Sequence, residues 1–146
     1  MTKAPRPGRS IRWTSRRGSQ IIEFALILPL LMILVFGIID FSIALYDKAV
    51  ITNASREGAR AGIVYDDPRR SNSDIVDAVS RYCSDNMISL GGDSDISTQI
   101  IRGGDTAGDP LTVRVTYTYN FLVLPNFITS LAPGITMEAE TVMRME

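Results

Sequence analysis

The chain has 146 residues, 15 basic and 16 acidic, with one cysteine and no histidine. A chain of this size suits one small domain plus a tail. Without histidine there are no Ser–His or Cys–His nucleophile pairs and no His-bearing metal site, and a single cysteine excludes thiolate zinc clusters and internal disulfides. The net charge of −1 hides a polarity: residues 1–18 hold six basic and no acidic residues, while the remainder holds nine basic and sixteen acidic, a net of −7.

Residues 1–17 are rich in Pro, Arg and Ser and poor in apolar residues, so they are expected to lack fixed structure. A basic arm also reads as nucleic-acid binding. This arm, with Lys3, Arg6, Arg9, Arg12, Arg16 and Arg17, runs directly into an apolar stretch, which argues for a membrane and against nucleic acid.

From Phe24 to Ile39 there is no charged residue. Ile21 to Ile39 forms a helix of about 28 Å at ~1.5 Å per residue, enough to cross a hydrocarbon core of ~30 Å. A secretory signal has a shorter apolar region, of ~7–15 residues, followed by small residues at a cleavage site. Here Asp40-Phe41-Ser42-Ile43-Ala44-Leu45-Tyr46 follows and continues the helix. The cationic flank holds the N-terminus in the cytoplasm, which places the residues after Asp40 outside. Two residues inside the run need a reason. Glu23 is an acid near the cytoplasmic end, where it either reaches the headgroups or meets a cation from another chain. Pro29 lacks an N–H, frees the Ala25 carbonyl and permits a kink.

The helix is expected to run from about Ser19 to about Ile63, closed by Asp66-Asp67-Pro68. Val50, Ala54, Ala61, Ala49, Ile51 and Gly58 fall at helical spacing. Such small residues suit either close approach of another helix or packing on the chain's own domain. A second helix is expected from Ser73 as N-cap. Its stripe is Ile75, Val76, Val79, Tyr82, Cys83 and Met87, with Gly91-Gly92 as its stop. Cys83 then sits in a core or bridges to another chain, the former being the simpler reading.

Strands follow. Ile96 to Arg102 is a short one. Leu111, Val113, Val115, Tyr117, Tyr119 and Phe121 alternate with polar residues, a period of two that gives one buried and one wet face. Pro125-Asn126 and Ala132-Pro133-Gly134 bracket a connection that includes one helical turn, and a last strand runs from Ile135 to Met145. The fold class is α+β: a long N-terminal helix, transmembrane over residues 21–39, continuing into a small antiparallel sheet domain with one further helix. The segments are 1–18, 19–64 and 65–146. Asp93, Asp95, Asp105 and Asp109 do not have the spacing of a calcium loop, and turn chemistry explains them more simply. No catalytic residue, cofactor, metal ligand or small-molecule substrate is expected.

The residues Arg16-Arg17-Gly18-Ser19-Gln20-Ile21-Ile22-Glu23-Phe24-Ala25-Leu26-Ile27-Leu28-Pro29 resemble a type IV prepilin processing site, and most of all that of the TadE/TadG-like proteins of the tight-adherence (Tad, or Flp) pilus system. Asn53 to Gly62 is similar to that family's "ARxGAR" segment, through Arg56, Glu57, Gly58, Ala59 and Arg60. The resemblance implies a pilin-like fold and cleavage between Gly18 and Ser19 by a membrane prepilin peptidase. It also implies a Glu23–Phe24 pair that serves assembly, with other pilin subunits and the Tad assembly platform as partners. The implied place is the bacterial inner membrane, the C-terminal domain in the periplasm or, once assembled, outside the cell in a pilus. The implied function is that of a minor pilin or pseudopilin supporting pilus biogenesis, adhesion and biofilm formation. Major Flp pilins are much shorter and carry Glu-Tyr at this place, whereas Glu23-Phe24 and the added body point to a minor subunit. The competing reading is an uncleaved single-pass anchor whose outer domain binds an envelope partner.

Overall fold

The structure, a computed structural model, describes residues 16–66, 69–88, 95–121 and 134–146. Its elements are α1 (Arg16–Ile63), α2 (Asn72–Asn86), β1 (Ile96–Arg102), β2 (Pro110–Tyr119) and β3 (Ile135–Arg144). By internal contacts the chain divides into two units, Met1–Leu34 and Val35–Glu146, with the boundary inside α1. The described part of the first unit is helix alone, and Ile21, Ile22, Phe24, Leu26, Ile27 and Leu30 are all exposed.

In the second unit the sheet is antiparallel in the order β1-β2-β3. β2 lies in the middle because its period-two pattern supplies a full apolar face: Leu111, Val113, Val115, Tyr117 and Tyr119 are buried, and the polar residues between them are half-buried. Register follows from that face. Val113 pairs with Ile100 and Thr141, and Val115 pairs with Thr98 and Ala139. On the other face Arg114 reaches Glu140 at 2.6 Å and Glu138 at 2.8 Å, an opposite-charge cross-strand cluster. Tyr117, Tyr119 and Phe121 meet edge to face, with centroids 6.5 and 6.1 Å apart.

Both helices cover the apolar face. From α1 come Ala44, Ile51, Ala54 and Ala59, and from α2 come Ile75, Val79 and Cys83, joined with the β2 residues in one core. The crossing with α1 is tight because Gly58 and Gly62 present no side chain: a β-carbon on Gly58 would lie 2.5 Å from Val79 Cγ2, and one on Gly62 2.5 Å from Leu111 Cδ2.

Several boundaries differ from the sequence expectation. α1 begins at Arg16, not Ser19, so Arg16 and Arg17 are helical; the expected lack of structure upstream concerns residues 1–15, outside the described residues. α2 is capped by Ser71, not Ser73. The Ser71 hydroxyl accepts from the Asp74 N–H at 3.3 Å, and the Asp74 carboxylate accepts from the Ser71 N–H at 2.9 Å, a capping box that also holds the Asp74 carboxyl below the usual range. Ser73 only joins its hydroxyl to that of Ser71. α2 ends at Asn86 with Met87 in extended backbone, well before the expected stop at Gly91-Gly92, which lies outside the described residues. β2 ends at Tyr119 and β3 at Arg144, each a residue or two short of expectation. Pro68 and the helical turn expected between Pro125 and Pro133 also lie outside the described residues.

Candidate functional site

The residues singled out by sequence fall on one helix but into two groups of different character. The first group lies at the start of α1. The Gly18–Ser19 bond sits in the first turn, Ser19 Oγ donates to Glu23 Oε1 at 3.4 Å, and Phe24 is 62% exposed. α1 passes without interruption through Pro29, so the helical assignment shows no break there. This stretch has no acid in its first turn, whereas two arginines occupy the first two helical positions. Positive charge at a helix N-terminus opposes the macrodipole. α1 is long and apolar enough to cross a membrane, and none of its most apolar window is buried.

The second group, Arg56 to Arg60, divides by helical face. Gly58 and Ala59 are buried, while Arg56, Glu57 and Arg60 are exposed. The small residues are therefore taken up by the chain's own core: Gly58 faces Val79, Val113 and Ile75. Of the helix-spaced positions read from sequence, Val50, Ile51, Ala54 and Gly58 are buried, Ala61 is half-buried and Ala49 is exposed.

The same buried face carries polar residues that sequence reasoning did not single out. Asp40, Asp47 and Ser55 are all fully buried. Asp40 Oδ1 accepts from the Tyr119 hydroxyl at 3.0 Å, and burial, with Asp40 beside it, raises the Tyr119 hydroxyl above its usual range. Asp47 Oδ1 accepts from the Ile88 N–H at 3.2 Å, while its Oδ2 is buried without a hydrogen-bond partner. Ser55 and Thr141 share a hydrogen bond of 2.7 Å that ties α1 to β3. Cys83 is buried with its thiol pushed up to about 11 by desolvation and by Asp47. The available signal was periodicity: Asp40, Ala44, Asp47, Ile51, Ala54 and Gly58 share one helical face.

Asp109 serves a turn, accepting from the Thr106 N–H at 2.9 Å, and Asp105 pairs with Arg102 at 3.3 Å. Among the described residues no group of three or more His, Cys, Asp or Glu side chains is placed to hold a metal.

An exposed apolar helix leads into a small α+β body, an arrangement consistent with a single-pass membrane anchor. Residues 18–60 match the family model of TadE-like proteins, so the long helix is similar to that family over this segment. No curated protein and no solved structure matches the chain significantly.

Proposed function

We propose that this chain is a minor pilin or pseudopilin of a Tad pilus system, made as an inner-membrane precursor with its body in the periplasm and cut between Gly18 and Ser19 by a prepilin peptidase. The observation that carries the reading is a coincidence of positions. The TadE-like match opens at Gly18, the residue the cut leaves on the leader, and Glu23 is the fifth residue after it, at the head of an exposed apolar helix. Hydrolysis adds water across the Gly18–Ser19 amide, leaving a carboxylate on the leader and an α-amine on Ser19. The cut falls in a first turn whose N–H groups have no intrahelical partners and which opens at low cost. It removes six cationic residues, two of them opposed to the dipole, and makes Ser19, a favoured cap residue, the new end.

On this reading the Glu23 carboxylate awaits the Ser19 amine of a neighbouring subunit. Pairing them offsets the cost of burying both charges in a lipid-free bundle. Head-to-tail contacts of that kind produce open helical filaments. The role is structural and non-catalytic, and its downstream effects are adhesion and biofilm formation.

The deciding measurement is the intact mass and N-terminal sequence of the protein from its own bacterium. A chain beginning at Ser19 is expected. A chain retaining Arg16 and Arg17 overturns the reading in favour of an uncleaved anchor for an envelope-binding domain. Glu23→Ala is expected to leave cleavage intact and abolish incorporation into pili; normal piliation in that variant removes Glu23 from the assembly contact.

A further inference from the structure

The apolar run in the sequence ends at Asp40, but the surface of the molecule does not become charged there. Asp40 and Asp47 are both 0% exposed and face the sheet. The residues that meet the surroundings over the same turns are Ile38, Ile39, Phe41, Leu45 and Tyr46, with Phe41 61% and Leu45 56% exposed. After Glu23, the first charged side chain on α1 that reaches the surface is Lys48.

We propose that the bilayer extends along α1 to Lys48, and that acyl chains of the outer leaflet fill the groove between α1 and the start of β3. This rests on the reading of α1 as a membrane anchor. The groove, of about 330 Å³, is walled by Phe41 and Leu45 on one side and Ile135 and Met137 on the other. Lys48 and Glu138 close its far end, where Lys48 Nζ donates to the Glu138 carbonyl.

Three observations identify lipid as the occupant. The groove continues without a charged residue from the exposed turn of Ile38 and Ile39. The charge-free surface from Phe24 to Tyr46 is 23 residues long, or ~34 Å of helix, which fills a ~30 Å core and enters the interfacial layer. At its upper end Tyr46 and Lys48 are the residue types that anchor such a layer, the amphipathic ring at headgroup depth and the long cationic stem reaching phosphate. In sequence, the connection from β2 to β3 adds no charge either, from Asn120 to Met137.

The test places a bimane fluorophore on single cysteines introduced by Leu31→Cys, Phe41→Cys, Leu45→Cys or Asn53→Cys in the full chain, reconstituted in phosphatidylcholine vesicles. All four positions tolerate a label because three are well exposed apolar sites and Asn53 is exposed and polar. Buried Cys83 stays in place, and the unsubstituted chain is the labelling blank. Lipids brominated high on the acyl chain are expected to quench Phe41 and Leu45 about twofold, lipids brominated near the chain end to quench Leu31, and neither to quench Asn53. Quenched Leu31 with Leu45 as bright as Asn53 overturns the inference and keeps the anchor. Unquenched Leu31 overturns the anchor itself, and the inference with it. Emission at Leu45 that ignores bromine but changes with protein density shows a second copy in the groove, which also overturns the inference.

Discussion

Gly58→Ala tests how α1 is seated. The added methyl lies 2.5 Å from Val79 Cγ2, with Val113 Cγ1 at 3.4 Å and Ile75 Cγ2 at 3.5 Å. Val79 is fully buried and β-branched, so its χ1 is held to one strongly preferred rotamer. Overpacking a filled core costs about 1–3 kcal/mol. Alanine in a helix interior returns about 1 kcal/mol relative to glycine. A contact this far inside normal separation belongs in the upper half of the first range, so the net loss is about 1–2 kcal/mol, five- to thirty-fold in the folding equilibrium. The assay is denaturant unfolding of the full chain in detergent micelles, followed by thiol labelling of Cys83. That residue is the chain's single cysteine, and it is buried, with its thiol pushed up to about 11, so it reacts only when the core opens. Val79→Ala provides the space the methyl needs. The double variant is therefore expected to be more stable than the sum of the two single losses predicts, by about 0.5–3 kcal/mol. A Gly58→Ala chain as stable as the unsubstituted one, or zero coupling to Val79, refutes the packing argument.

Tyr119→Phe removes the hydroxyl that donates to buried Asp40 and should cost about 1–3 kcal/mol in the same unfolding assay; no loss would mean the bond is not formed. Arg114→Ala breaks a cluster on the exposed face of the sheet and should leave the unfolding midpoint nearly unchanged; a clear loss of stability would show that the cluster holds the sheet register.

The sheet was legible where a single face decides a strand. β1 has the bounds its apolar run implies, and the alternation in β2 placed that strand correctly in the wet-and-dry sense. The N-cap of α2 was misplaced by two residues because Ser71 and Ser73 are chemically equivalent, and only the reciprocal bond with Asp74 separates them. The division of Arg56 to Arg60 followed from a helical period already present in the sequence, but which side the body would occupy depended on strands far along the chain. Asp40 and Asp47 were the real surprise. A carboxylate reads as the end of an apolar run unless its partner is known, and Tyr119 and Ile88 lie 79 and 41 residues away.

That distance sets a timetable. β3 is tied to α1 through Ser55 and Thr141, and it is completed about 80 residues after α1 ends. At a synthesis rate of ~5–20 residues per second, the nascent helix waits roughly 4–16 s for that strand, although the partners of Asp40 and Asp47 emerge sooner. During that interval the early segment is a half-clad rod, open to a chaperone or a protease, and only arrival of the final strand closes the window.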